Sequence, residues 1–374
     1  MSDDEDLNGA NSKKIKLTED NKEKETENDS DELSTSTDES LNSTSKNSDS
    51  EDISIEEAEN PNLTPSERII KCFLVDMPQD FYSFWEFCQC IKPSTLKTYL
   101  NLILVGPFDV LSGKMKTNLK SDVYLRHWRF FYDPPEFTTV LVTTEKNSQL
   151  HFGYFRDDPN EMPNFVASNN ANNDCVLTPL GPNLFAAINA HIKSQIKDFK
   201  SKYTKTHLEE LKGLNNKLKK WAEDHQFTLD MKTSAMNARQ KLVVAKTFHR
   251  AGIVVPFDKK TEVGYRPLPE TDGKLKKLMQ AVVDSETEAE KTINLDKLNE
   301  IVTLIQFATD ECDYGMGFEF GIDLFCFGDS IFHSIILRLL TLAYDLLQRP
   351  QYFQIIKAHL EDRKKNGNMS RLTS

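Results

Sequence analysis

The chain of 374 residues carries a net charge of −12, is long enough for about two domains, and has an ordinary soluble composition, with 38% hydrophobic and 28% charged residues. It contains no run of about 18 apolar residues, and its N-terminus, MSDDEDLNG, lacks the basic and then apolar segments of a signal peptide, so neither a membrane-spanning helix nor secretion is predicted. Six dispersed cysteines without a CxxC pair indicate free thiols in a reducing compartment.

The acidity belongs to the N-terminal segment. Residues 1–66 hold 20 acidic residues and 6 lysines, a net charge of −14, whereas the rest of the chain carries only +2. Residues 1–65 contain almost no aromatic side chains and cannot bury enough apolar surface to offset the entropy of ordering. The sequence therefore predicts a disordered acidic tail over 1–65.

Residues 66–200 predict an α+β domain. A helix is expected to start at Ser66, with Pro65 outside it, and a second helix follows over QDFYSFWEFCQCI. Short β-rich runs separated by turn residues then predict an antiparallel sheet with flanking helices. The runs are LILVGPFDVL, WRFFY, FTTVLVTT, LHFGYF, FVAS and CVLT, and the helix LFAAINAHIKSQIKDF closes the unit.

Residues 201–374 predict a mostly helical C-terminal domain. A charged helix with leucines at helical spacing covers 203–223, and four further helices are expected near 273–284, 295–311, 329–348 and 351–364. A Gly-rich apolar segment, YGMGFEFGIDLFCFG, separates the second and third of these four. The predicted fold class is thus α+β, with a sheet domain followed by a helical one.

The end of the helix near 295–311 is unusual, because three carboxylates crowd there in the run Asp310, Glu311, Cys312 and Asp313. The helix dipole places partial negative charge at this end, so these acids are locally unfavourable and mark a candidate functional site. Crowded carboxylates suit general-base chemistry. The alternatives are that a nearby Lys or Arg neutralises these acids, or that they cap a loop. A metal site is not expected, because the run lacks EF-hand spacing and a histidine.

Tyr265 and Arg266 lie in the Pro-bounded run VGYRPLP, where neither a helix nor a strand requires them. Both residue types are enriched among those that dominate protein interfaces, so this loop is either a partner anchor or an ordinary surface loop. Aromatic segments around Arg126, Arg129 and Arg156 would suit nucleic-acid stacking, but alternating strand aromatics favour a sheet core. Direct nucleic-acid binding is therefore not expected.

Seven long motifs, in this order, closely resemble the histone PARylation factor family over roughly residues 66–365. They are DFYSFWEFC, VGPFDVLSGK, HWRFFYDPPEF, HFGYFRDDP, KTFHRAGIVVPFD, VGYRPLPETD and FATDECDYGMGFEFGIDLFCFG. Some relatives carry an N-terminal zinc finger, and the Cys and His residues that it requires are absent from 1–65 here.

The resemblance implies an accessory factor rather than an enzyme that acts alone. Family members bind the catalytic domain of DNA-damage-activated poly(ADP-ribose) polymerases and complete a joint active site for serine ADP-ribosylation of histones. The matching motif places the catalytic glutamate at Glu311 and its neighbouring active-site aspartate at Asp310. The polymerase-binding pair falls on Tyr265 and Arg266.

The resemblance also implies that Phe307, Cys312 and Asp313 flank the acidic site and line the contact surface. NAD would be bound by the partner polymerase, and no cofactor is expected on this chain, since it has no P-loop or G-x-G-x-x-G fingerprint. The implied location is the nucleus, on chromosomes at sites of DNA damage. Two alternatives stay open: a non-catalytic module that docks on the polymerase or chromatin, and an independent enzyme that uses the paired carboxylates.

Overall fold

The computed structural model describes residues 63–92, 94–115, 119–197 and 204–372. The predicted acidic tail lies outside the described residues, apart from residues 63–65. None of the helices within these ranges is long and apolar enough to cross a membrane.

The described strands form one antiparallel sheet in the order β1-β2-β3-β4-β5, which confirms the predicted sheet. They are β1 (Leu102–Leu104), β2 (Phe137–Thr143), β3 (Leu150–Phe155), β4 (Phe165–Asn170) and β5 (Thr178–Gly181). Each strand pairs with the next along the chain; short loops connect β2 to β5, whereas helices α4 and α5 lie between β1 and β2. The β2–β3 register shifts between Thr139 and Leu141, leaving Val140 as a bulge.

Over the described part of residues 63–224, seven helices surround or extend from the sheet. They are α1 (Pro65–Phe73), α2 (Gln79–Cys90), α3 (Ser94–Leu100), α4 (Pro107–Leu111), α5 (Ser121–Arg126), α6 (Leu184–Lys197) and α7 (Lys205–Asp224). Side chains of α1, α2, α6 and α7 pack with β2, β3 and β4 in one apolar cluster, the first core. Buried leucines of α7, including Leu211 and Leu218, belong to this first core. The division of the chain at residue 200 stays a prediction.

The remaining part is mostly helical, as predicted. Its helices are α8 (Ser234–Gln240), α9 (Asp272–Val283), α10 (Glu288–Asp310), α11 (Tyr314–Phe327), α12 (His333–Leu346) and α13 (Pro350–Glu361), with a 3-10 turn over Ser330–Phe332. Apolar side chains of α9 to α13 form a second core. This part is fastened to the sheet by two buried tyrosines. The Tyr344 hydroxyl donates to Glu136 at 2.8 Å, and the Tyr352 hydroxyl donates to the Arg156 carbonyl at 3.0 Å.

Several local predictions are wrong, each for a physical reason. Helix α1 begins at Pro65, because Thr64 is the true N-cap: its hydroxyl accepts from the Glu67 amide, and proline suits the first helical position. The run LILVGPFDVL is a strand only to Leu104. Gly106 has φ 63°, and α4 begins at Pro107 directly after it.

Two further β-rich runs differ from prediction. WRFFY forms no strand: Trp128 has φ 55°, and the Arg129 guanidinium donates to the backbone oxygens of Leu125, Pro134 and Phe137. CVLT contributes only its last residue to β5.

Arg156 is 1% exposed, and its guanidinium donates to the carbonyls of Asp76 and Glu161. This arginine therefore bonds to backbone within the protein interior.

The largest difference is the Gly-rich apolar segment, which is helix α11. Its glycines are places of close packing: a methyl group at Gly321 would lie 2.5 Å from Leu340 Cδ2 of α12. A methyl group at Gly317 would lie 3.0 Å from Ile305 Cγ2 of α10. These glycines therefore allow neighbouring helices to pack closely against α11, although glycine in a sequence usually predicts a turn.

Replacement of Gly153 by alanine tests the packing of the sheet centre. The new Cβ would lie 2.5 Å from the Thr138 carbonyl oxygen and 2.7 Å from Phe137 Cζ, so Gly153→Ala should lower the free energy of unfolding by about 1–3 kcal/mol. Gly213→Ala is the control, because that glycine is exposed on α7 with no atom within 4 Å of the new Cβ, and alanine there should stabilise by about 1 kcal/mol. Urea denaturation measures both, and equal effects would contradict the packing.

Candidate functional site

Helix α10 ends in a Schellman turn, which leaves some of the carboxylates of the run 310–313 exposed and buries another. The Asp313 amide donates to the Ala308 carbonyl at 2.8 Å, and the Cys312 amide donates to the Thr309 carbonyl at 3.0 Å. Cys312 takes the left-handed conformation, with φ 68°, at the position where glycine is usual. As a result Asp310, Glu311 and Cys312 are exposed, whereas Asp313 turns inward and is 4% exposed.

Asp313 ties the turn to the loop that carries Tyr265 and Arg266. Its Oδ1 accepts a hydrogen bond from the buried Gly264 amide at 2.9 Å, and its Oδ2 pairs with the Arg266 guanidinium at 3.0 Å. Gly264 has φ 116°, and a Cβ there would lie 2.0 Å from the Pro256 carbonyl oxygen, so only glycine fits. Asp313 is therefore buried and supports the loop, and its predicted place on the contact surface stays a prediction.

Arg266 joins the two carboxylates on either side of Cys312. Its Nη2 bonds to Glu311 Oε2 as well as to Asp313 Oδ2. The hydrogen bond to Glu311 raises the pKa of Arg266, so the guanidinium stays cationic. The neutralising cation that the sequence left open is therefore present. Because the side chain of Glu311 is 61% exposed and that of Arg266 46%, this ion pair stabilises the fold little and is readily exchanged.

Tyr265 is more deeply held than a free surface residue. It is half-buried, its ring stands edge-on to Phe257 with centroids 6.2 Å apart, and its hydroxyl donates to Glu319 Oε2 at 3.0 Å. The edge of the ring also lies against the start of α11, where a methyl group at Gly315 would be 2.9 Å from Tyr265 Cδ2. The hydroxyl of Tyr265 is therefore already bonded within the protein, and its ring packs on Phe257 and the start of α11.

Phe307 is a further exposed residue near the end of α10. Its side chain is 58% exposed, an unusual state for a phenylalanine, and it lies one turn before Glu311 on the same face. All seven residues predicted for the site thus gather at the end of α10 and the adjoining loop: Tyr265, Arg266, Phe307, Asp310, Glu311, Cys312 and Asp313.

An open groove of about 870 Å³ borders Glu311. Residues 241–244 and most of 254–267 line it, including Lys241, Lys259 and Arg266, together with Glu311 and Asp313. Within the described ranges, no group of three or more His, Cys, Asp or Glu side chains is arranged to hold a metal ion. The site therefore offers an exposed carboxylate beside an arginine side chain, at the border of an open groove.

The sequence did not reveal Lys241, Lys259, Gly264 or Glu319 as parts of the site. The places of the two lysines and of Gly264 depend on a loop conformation that has no sequence pattern. Glu319 did leave a signal, since an acid within the otherwise apolar run GMGFEFGI requires a partner if the run is a buried helix.

Known proteins similar to this chain agree with the resemblance. The family model "Histone PARylation factor 1" matches residues 64–363. "Histone PARylation factor 1" of Bos taurus is 44% identical over 300 residues, covering 79% of this chain and 85% of that protein. The protein of the same description in Mus musculus is 43% identical over 304 residues, covering 79% and 86%. That of Danio rerio is 41% identical over 305 residues, covering 80% and 86%.

The two aspartates of the motif should differ sharply in their effect on stability. Asp313→Ala leaves the buried Gly264 amide without an acceptor, so it should lower the free energy of unfolding by about 1–3 kcal/mol. Asp310→Ala removes an exposed negative charge at a helix C-terminus, so stability should be unchanged or slightly higher. Thermal unfolding compares the two, and an equal loss in both variants would disprove the supporting role of Asp313.

Proposed function

The chain belongs to the histone PARylation factor 1 family, and we propose that it is an accessory factor which completes the active site of a partner poly(ADP-ribose) polymerase. In this proposal it binds the catalytic domain of the polymerase and supplies Glu311 as the general base for serine ADP-ribosylation of histones and other proteins. It acts in the nucleus, on chromosomes at DNA damage sites. It is not an enzyme by itself.

The observation that carries the proposal is the placement of Glu311. Glu311 lies at the tip of a turn beside the exposed Arg266, and its side chain is 61% exposed to solvent. A base in this position becomes effective only when a second surface brings a reacting hydroxyl to it, because positioning supplies much of the rate. Exposure of the base thus favours a joint site over an independent enzyme.

The chemistry assigned to Glu311 is removal of one proton. A serine hydroxyl is a weak nucleophile unless a base takes its proton as it attacks. In the joint site the serine oxygen forms a bond to the anomeric carbon of the nicotinamide ribose of NAD+, which the polymerase binds, and the bond from that carbon to nicotinamide breaks. The serine proton passes to a Glu311 oxygen. General-base assistance of this kind contributes about 10²–10⁴-fold.

The other residues of the site take supporting roles in the proposal. Tyr265, Arg266, Phe307 and Cys312 form the docking surface, and Asp313 holds the loop of the first two in place. Asp310 adds a second exposed negative charge beside Glu311, which favours acceptor serines that follow a lysine, as on histone tails. Occupation of the polymerase cleft would also hinder chain elongation, so the product shifts toward short modifications on serine.

Neutralisation of Glu311 should separate chemistry from docking. With Glu311→Gln, we expect polymerase binding to remain, while serine modification of a Lys-Ser peptide in the presence of polymerase and NAD+ falls by about 10²–10⁴-fold. Glu300→Gln is the matched control, because it makes the same change on the exposed surface of α10 and should leave the rate unchanged.

The same experiment distinguishes the alternatives. Normal serine modification by Glu311→Gln would show that the motif is only a docking surface. Turnover of NAD+ and peptide by the purified chain without a polymerase would show an independent enzyme. Either result would overturn the proposed role.

Removal of the Arg266 side chain should weaken docking. Arg266→Ala deletes the exposed cation next to Glu311, and truncation of an interface arginine of this kind weakens binding by about 30-fold or more. Arg250→Ala is the control, since Arg250 is also exposed and its closest carboxylate, on Asp272, is 3.8 Å away. Affinity for the polymerase catalytic domain and the melting temperature are both measured. Equal affinities for the two variants would remove Arg266 from the docking surface.

A further inference from the structure

Helix α11 contains two acidic residues in an otherwise apolar sequence, and each holds a loop. Glu319 accepts the Tyr265 hydroxyl at 3.0 Å, and Asp323, one turn later, accepts the Phe248 amide at 2.7 Å. Asp323 is 1% exposed, and Glu319 is half-buried. Acids are rare in such positions unless they have partners, so each of these bonds fixes a loop to the helix.

The hydrogen bond from Tyr265 to Glu319 fixes the position of Tyr265 and, through the chain, that of Arg266. Tyr265 precedes Arg266 directly, so a shift of the tyrosine ring would move the guanidinium. On the other side of Tyr265, Gly264 is fixed by Asp313 and by its carbonyl, which accepts the Gly315 amide at 2.9 Å. The Glu319 bond is the one polar contact among the described residues that holds the Tyr265 side chain itself.

We propose that Glu319 is a positioning residue for polymerase docking, which acts by holding the Tyr265 side chain from beneath. The inference rests on the proposed function, because it assumes that Tyr265 and Arg266 bind the polymerase. Glu319 does not touch the partner or the reacting atoms in this proposal. Loss of the Glu319 side chain therefore raises the concentration of this protein that is needed to saturate the polymerase, and it leaves the rate of the chemical step unchanged.

The environment of Glu319 indicates which substitutions preserve the bond. Burial raises the pKa of Glu319 to about 7, the Tyr265 hydroxyl opposes this rise, and the nearby Asp272 carboxylate adds to it. The side chain therefore exists in both protonation states near neutral pH, and a carbonyl oxygen is available to accept in each. Glutamine offers the same oxygen at the same distance along the chain, whereas leucine offers none.

The test compares Glu319→Gln, Glu319→Leu and Tyr265→Phe for affinity to the polymerase catalytic domain. We expect Gln to bind like the unmodified protein, and Leu and Phe each to weaken binding by about tenfold, the upper range for a lost hydrogen bond. The double variant with Leu and Phe should be no weaker than either alone, because both remove the same contact. At saturating concentrations of each variant, the rate of serine modification should return to normal.

The chain offers a matched control in a second Tyr–Glu pair. Tyr344 donates to Glu136 at 2.8 Å, and burial raises the pKa of Glu136 to about 7 as well, but this pair joins α12 to the start of β2, and neither residue belongs to the loop of Tyr265 and Arg266. Tyr344→Phe should lower the melting temperature without changing the affinity for the polymerase. Weakened docking by Tyr344→Phe would indicate a general effect of stability.

The outcomes are separable from those that test the proposed function. If the unmodified protein does not bind the polymerase, the proposed function fails. If it binds, and Tyr265→Phe and Glu319→Leu bind equally well, only the role of Glu319 fails. Should Glu319→Leu not fold, the comparison of Tyr265→Phe with Tyr344→Phe decides the question, since both keep the ring and remove one hydroxyl. Independent, additive losses in the double variant would also overturn the inference.

Discussion

The buried carboxylate of Asp313 is the constraint on which the candidate site depends. It is the point where the end of α10 and the loop of Tyr265 and Arg266 are joined, through the Gly264 amide and the Arg266 guanidinium. A carboxylate with 4% exposure is unfavourable unless both its oxygens are satisfied, and here each oxygen has its own partner. The position of the exposed Glu311, two residues earlier, follows from this anchor.

The sequence predicted the outline of the fold and the place of the site, for identifiable reasons. Strands β2, β3 and β4 and helices α2, α6 and α7 have clear periodicity and turn signals, and all are present in the structure. The acidic end of α10 could be noticed because it violates the dipole rule, and the structure supplies the compensation in Arg266. Local rules thus located the site but could not name the compensating residue, which lies 45 positions away.

What the sequence missed depends on tertiary contact. Helix α11 contains three glycines because α10, α12 and the loop of Tyr265 and Arg266 approach it closely, and no local pattern distinguishes this from a flexible segment. The Schellman turn at Cys312 could not be predicted either, because cysteine rarely adopts the left-handed conformation that such a turn requires. Pairing of Tyr265 with Glu319 required knowledge of both the helix and the loop.

The two ion pairs of Arg266 have different exposure, and this difference suits a docking residue. The carboxylate of Asp313 is almost wholly buried, so its bond to Arg266 limits where the guanidinium can go. The carboxylate of Glu311 lies in water, where an ion pair competes with solvent and is held weakly. A partner surface can therefore replace water around Arg266 and Glu311 without unfolding the turn beneath them.

In the proposed function, Glu311 acts as a base inside another protein's cleft, and such a base requires more rigidity than one in its own pocket. Its geometry relative to the substrate is set by two chains, and an error of about 1 Å in position can cost two orders of magnitude in rate. The site meets this demand from the interior: Asp313 and Glu319 hold the loop from two sides, and the close-packed α11 lies beneath it. The side chains of Glu311 and Arg266 thus face solvent, while buried hydrogen bonds hold the backbone that carries them.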